Sequence, residues 1–179
     1  MYYSNQFARG VTLIEALLVL GIMAILIGMV MTFYAMTTEK TKNNQLIQEA
    51  DKLIFITRQL SESQQNFTGF NGQVMAKTGY VENRYINKNG DLIDPYGGKI
   101  DVIPFNYQKN GIPIYLAFNF YGLSKTACVL LGTQDFGGEA QSMTVTNMRE
   151  DSPDGFKPII VVMNCDNSND NYVNIRLQQ

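Results

Sequence analysis

From Val11 to Met36 the chain is apolar or small-residue, and its one charged side chain there is Glu15. A helix rises about 1.5 Å per residue, so a run of this length can cross the roughly 30 Å hydrocarbon core of a bilayer. The acid narrows the reading further. On insertion scales an acid at the bilayer centre costs about 2.5–3.5 kcal/mol, so Glu15 calls for a partner cation. No Lys or Arg lies inside the run. A cut after Gly10 would create one, because a freed α-amino group on Val11 is protonated near neutral pH. That amine and Glu15 sit on the first turns of one rigid helix and point differently, so the pairing expected is between neighbouring copies.

Other readings of the run fit less well. A removable secretory signal has a basic start, a shorter apolar core and small residues before a cut at its far end. Here the basic residue is Arg9, the core is too long, and Met31-Thr32-Phe33-Tyr34 is a poor cleavage site. A generic signal anchor leaves Glu15 without a role. Arg9 precedes the run while Lys40 and Lys42 follow it, so the positive-inside rule does not orient it.

The stretch Gly10-Val11-Thr12-Leu13-Ile14-Glu15 ahead of a long apolar helix resembles the class III signal of type IV pilins and their relatives. The resemblance implies that a prepilin peptidase cuts between Gly10 and Val11 and N-methylates the new terminus. It also implies that the leader stays cytoplasmic and that Glu15 serves assembly. Val at position 11, and Val19-Leu20-Gly21-Ile22-Met23-Ala24 with no Pro, are similar to type IVb pilins, although the leader Met1 to Gly10 is short for that class. The fold so implied is α+β, a long N-terminal helical spine on a C-terminal, mainly antiparallel head. Its expected parts are leader 1–10, transmembrane and filament-core helix 11–36, amphipathic helix 37–65 and globular head 66–179.

Composition removes several other classes. The chain has no His, which excludes Ser-His and Cys-His nucleophile schemes and the commonest metal ligand. A net charge of −2 with thinly spread Lys and Arg argues against a nucleic-acid surface. No enzyme activity and no cofactor is expected. The two cysteines, Cys128 and Cys165, lie in the part that would be exported, where a disulfide is favoured over a metal or redox site.

Beyond Met36 the helix pattern continues. Positions 37–65 hold no Gly or Pro, and Leu46, Ala50, Leu53, Thr57 and Leu60 recur every three or four residues, widened by Ile47 and Ile54. One helix from Val11 to about Ser63, roughly 80 Å long, is expected, the alternative being a break near Thr37–Thr41. Gly21 and Gly28, seven apart, suit close helix contact or local unwinding. Asn66 to Gly72 reads as the turn that ends the spine. Strand-like pieces follow at Tyr80–Ile86, Lys99–Phe105, Ile114–Tyr121, Met143–Met148 and Tyr172–Leu177, with Pro158–Met163 as the most buried, central strand. Ser124 is an expected N-cap for a short helix over Lys125–Leu131.

Asp94-Pro95-Tyr96-Gly97-Gly98 reads as a tight turn. It also resembles an Asn/Asp-Pro-aromatic-Gly-Gly element of type IVb pilins. A Cys128–Cys165 bond would staple the short helix to the sheet, and the segment between, about 128–165, resembles the disulfide-bounded D-region of type IV pilins. Asp166-Asn167-Ser168-Asn169-Asp170 has the alternating oxygens of a calcium loop, but Asn171 and Leu177 stand where Gly and Glu are needed, which favours a polar hairpin. Asp91, Asp94 and Asp101 are a second set that could gather a cation. Phe118, Phe120 and Tyr121 read as core or subunit contacts rather than a sugar platform.

The function this implies is a structural subunit, the major pilin of a type IVb-like pilus for adherence, aggregation or conjugation. It would polymerise as a helical homo-oligomer, start in the inner membrane, and meet the prepilin peptidase and the pilus assembly machinery before reaching the cell surface. The alternatives are a minor pilin or type II secretion pseudopilin, and a membrane-tethered binding domain or enzyme.

Overall fold

The computed structural model describes residues 12–62, 64–106, 111–148 and 157–179. Helix α1 runs Leu13–Ser61 without the break allowed near Thr37–Thr41. Two compact units divide the chain, one ending at Lys40 and the other running Thr41–Gln179.

In the first unit every residue from Thr12 to Thr37 is exposed. The helix is apolar on all sides, as in a segment meant for lipid or for a bundle of like helices. Two of its threonines bond back onto the helix: Thr32 Oγ1 donates to the Gly28 carbonyl and Thr38 Oγ1 to that of Tyr34, both at 2.9 Å. Each uncapped O–H is thereby satisfied without water. A Cβ added at Gly21 or Gly28 meets nothing within 4 Å, so no contact inside one chain requires glycine there.

In the second unit the rest of α1 is amphipathic. Leu46, Ala50, Leu53, Ile54 and Thr57 are buried as the spacing predicts, but the stripe then turns through Ile56 and Ser61, and Leu60 is 37% exposed. The helix stops at Ser61, short of the expected 65. Gln64 and Gln65 donate their amides to the Ser61 carbonyl, and Gln65 has φ 55°, a left-handed terminator. Arg58 ties the last turn down: its guanidinium donates to the Gln178 and Glu139 carbonyls and to the Glu139 carboxylate at 2.9 Å.

Next come α2 (Gly72–Lys77), capped by Asn71 Oδ1 on the Val74 amide at 2.9 Å, and a 3-10 turn at Asn83–Tyr85. The Tyr80–Ile86 strand is therefore a correction: Tyr85 N–H bonds the Glu82 carbonyl, and Ile86 alone bridges to Leu92. Strands β1 (Leu92–Ile93), β2 (Lys99–Phe105), β3 (Tyr115–Leu123), β4 (Ser142–Val145) and β5 (Asn171–Gln178) form one antiparallel sheet in the order β1-β2-β3-β5-β4. Strand alternation sends Leu116, Phe118 and Phe120 of β3 and Val173, Ile175 and Leu177 of β5 into one core with the α1 stripe. Helix α3 (Lys125–Gly132) begins where Ser124 Oγ accepts the Ala127 amide at 3.2 Å. β4 is shorter than expected because Met148 N–H turns back to the Val145 carbonyl.

The largest correction concerns Pro158–Met163. These residues form helix α4 (Pro158–Asn164), not a central strand. Proline at the first helical position costs no donor, and the Cys165 amide closes the helix on the Val161 carbonyl at 3.0 Å. Only Val161 is fully buried, whereas Ile159 is 71% and Met163 78% exposed. A short apolar, β-branched run has the same composition in either state, and the central places go to β3 and β5.

Candidate functional site

Gly10 and Val11 lie outside the described residues. Glu15 stands in the first turn of α1, where Thr12 holds it. Glu15 Oε2 accepts the Thr12 backbone N–H at 2.9 Å and the Thr12 hydroxyl at 3.1 Å, and the Glu15 amide returns a bond to Thr12 Oγ1 at 3.3 Å. This is a reciprocal capping box, Thr-x-x-Glu, satisfying donors the helix start leaves open. Reading the acid for its charge alone missed it, although the Thr12–Glu15 spacing is plain in the sequence. All three bonds use Oε2 and the cap; among the described residues Oε1 accepts no hydrogen bond and Glu15 forms no ion pair. The carboxylate is thus aimed by its own chain with one oxygen left over.

The Asp94–Gly98 element is a tight turn joining β1 to β2. Asp94 Oδ1 accepts the amides of Tyr96 and Gly98 at 2.8 and 2.9 Å, and the Asp94 amide bonds the Gly98 carbonyl at 2.8 Å. Gly97 has φ +88°, and a Cβ on Gly98 would fall 1.8 Å from the Tyr121 carbonyl, so both glycines are fixed by backbone. Tyr96 then reaches α1, donating its hydroxyl to Asn43 Oδ1 at 2.7 Å, with Lys42 Nζ 5.3 Å from its ring centroid. The turn therefore fastens the loop to the helix.

Burial raises the Asp94 carboxyl to about 6, against the amides of Gly98, Tyr96 and Gly97 and the charge of Lys42, and among the described residues its Oδ2 has no hydrogen-bond partner. A folded-state value above the unfolded one means the native state holds the proton more tightly. The stability this contributes is full below about pH 4 and is lost as pH rises through about 6, a change of about 3 kcal/mol. Burial raises Glu49 in the same direction, so the wild-type slope is a sum. Asp94→Asn keeps Oδ1 as acceptor, and melting curves of the variant should show a shallower fall between pH 4 and 6. Identical slopes for both chains would refute the assignment.

Cys128 and Cys165 are joined, with Cα atoms 6.0 Å apart. The bond staples α3 to the end of α4, not to a strand as expected, because the residues before Cys165 are helical. The cation candidates are each engaged elsewhere. Asp91 accepts from Asn87 Nδ2, Asp101 pairs with Lys99 at 2.7 Å, and Asp94 is wrapped by its turn. In the Asp166–Asp170 loop the buried Asn171 amide fills the centre. It donates to the carbonyls of Leu123, Asp166 and Ser168 and accepts the Asp166 amide at 2.7 Å.

A long N-terminal helix whose second part packs on an antiparallel sheet, with a disulfide closing the C-terminal third, defines a type IV pilin. The Bundlin family model matches residues 35–172. The chain belongs to the Bundlin family. It is 25% identical over 158 residues to the major structural subunit of bundle-forming pilus of Escherichia coli O111:H-, covering 86% of this chain and 78% of that one. The corresponding subunit of Escherichia coli O127:H6 (strain E2348/69 / EPEC) matches to the same extent. Among solved structures, TcpA, a type IV pilin from Vibrio cholerae El Tor, aligns with TM-score 0.51 at 13% identity, over 76% of this chain and 98% of that one. A type IVb pilin from Salmonella typhi aligns with TM-score 0.55 at 14% identity, over 76% and 99%.

Proposed function

We propose that this chain is the major structural subunit of a type IVb-like pilus and that its work is assembly, not catalysis. The observation that carries the reading is the wholly exposed apolar helix from Thr12 to Thr37 with one acid at its start, in a chain related to bundle-forming pilus subunits. The precursor sits in the inner membrane by that helix. A prepilin peptidase cuts between Gly10 and Val11, and the assembly machinery draws the helix out to pack beside like helices. Glu15 of the incoming copy pairs with the Val11 amine of one already placed, setting the stagger, while apolar burial supplies most of the free energy. The filament then serves adherence, aggregation or conjugation at the cell surface. N-terminal sequencing of material sheared from cells, with electron microscopy of the same fraction, tests this. Filaments dominated by a polypeptide beginning at N-methylated Val11 are expected; a chain still beginning at Met1, or present only in traces, overturns it.

A further inference from the structure

The turn at Asp94 leaves one buried oxygen over. Asp94 is 2% exposed; its Oδ1 takes the amides of Tyr96 and Gly98, while Oδ2 accepts no hydrogen bond among the described residues. The surroundings of Gly98 show where Oδ2 points. A Cβ built on Gly98 would lie 1.8 Å from the Tyr121 carbonyl oxygen and 2.8 Å from Asp94 Oδ2, so both oxygens border one small space over that glycine. Tyr121 stands in β3 where the pairing with β5 slips between Phe120 and Leu123. The next residue, Gly122, has φ +73°, and a Cβ on it would be 3.5 Å from Gly98 Cα. The irregular part of β3 thus meets the turn backbone to backbone, with a carbonyl set toward the carboxyl.

Two acceptors sharing a buried space repel each other, and a carboxylate oxygen without a donor there bears the full cost of leaving water. A proton on Oδ2 reverses the contact, because a carboxylic acid is a donor and the Tyr121 carbonyl becomes its acceptor. The other side of the turn bears on the helix. The Tyr96 amide is held by Asp94 Oδ1 at 2.8 Å, and the Tyr96 hydroxyl donates to Asn43 Oδ1 of α1 at 2.7 Å. The titratable groups around the turn are Lys42 of α1, the Tyr96 phenol, Lys99 and Asp101 of β2, paired at 2.7 Å, and the Tyr121 phenol of β3. Lys42 is the charge that acts on Asp94, and it favours the carboxylate.

We propose that Asp94 is a proton-operated clasp: as the acid, its Oδ2–H donates to the Tyr121 carbonyl and locks the turn between β3 and α1, and as the carboxylate it lacks that bond and the turn loosens from both. The test is NMR of the full-length chain in detergent, with 13C at the carboxyl and backbone carbonyl carbons, titrated between about pH 4 and 8. The Asp94 carboxyl carbon and the Tyr121 carbonyl carbon should shift together with a midpoint near 6, while the carbonyl of Phe118, farther along β3, stays flat. Over the same range the Tyr96 and Gly98 amides, corrected for intrinsic exchange, should lose protection by about tenfold or more. Asp94→Asn retains Oδ1 and puts a permanent donor, Nδ2, in place of Oδ2. In that variant the Tyr121 carbonyl should not titrate, and both amides should keep their protection at either end of the range. A Tyr121 carbonyl that stays still while Asp94 titrates, an Asp94 midpoint near the ordinary carboxyl value, or turn amides that lose protection in Asp94→Asn as they do in the wild type would overturn the proposal.

Discussion

A Glu15→Ala chain is expected to be processed and held in the membrane yet to build few or no filaments. On the assembly scheme proposed above, the side chain has two separable jobs. Within its own chain it completes the Thr12 capping box, and losing a cap of this kind costs about 1 kcal/mol of helix stability. Between chains it would meet the Val11 amine in a medium of low dielectric, where leaving one partner of such a pair uncompensated costs about 3–5 kcal/mol. At about 1.4 kcal/mol per factor of ten, the second loss weakens each subunit contact by roughly two to nearly four orders of magnitude, enough to stop growth, and the first does not. Glu15→Gln separates the two. Its amide oxygen still accepts from Thr12, so the helix start survives while the charge is gone. Counts of filaments per cell, set against immunoblots of membrane-bound subunit, should show Gln failing as Ala does. Full filament yield from the Gln variant would assign Glu15 to helix capping alone.

What the sequence made legible was set by how far each signal reaches. The apolar run and the three-and-four spacing of Leu46, Ala50, Leu53 and Thr57 extend over many turns, and such periodicity fixes a helix whatever covers it. Ser124 before Lys125, and the alternation in β3 and β5, are local signals that tertiary packing did not oppose. Pro158–Met163 reads as a strand and folds as a helix because its six apolar residues carry no period, and the choice of state rests on Val161 packing against α3 and β4 from a helical turn. The polar outer face of the sheet was hidden for a related reason: alternation places Asn119, Asn174 and Arg176 on one face, but only the strand register sets Asn119 directly beside Asn174. At the proposed assembly site the sequence points to Glu15, and to positions 10 and 11, of which the latter two lie outside the described residues; the cap partner Thr12 is the residue it passes over.

Replacing both cysteines, Cys128→Ala with Cys165→Ala, should cost about 4 kcal/mol, since the bond closes a loop of separation 37 and restricts the unfolded chain accordingly. For a head of this size that is a fall in melting temperature of about 10–15 °C. The loss should not be spread evenly. The closed segment contains β4, an edge strand paired only with β5, and α4, which buries Val161 and turns Ile159, Val162 and Met163 outward. Both depend on the staple more than β3 and β5 do, because those two strands bury core residues along their length and pair on both sides. Hydrogen exchange on the full-length chain should therefore show α4 and β4 amides losing protection before those of β3 and β5. A reduced or double-alanine chain that melts where the oxidised one does would show that Val161 and the α3 contacts hold this region unaided. A uniform loss of protection across the sheet would instead mean that the bond stabilises the head as one cooperative unit.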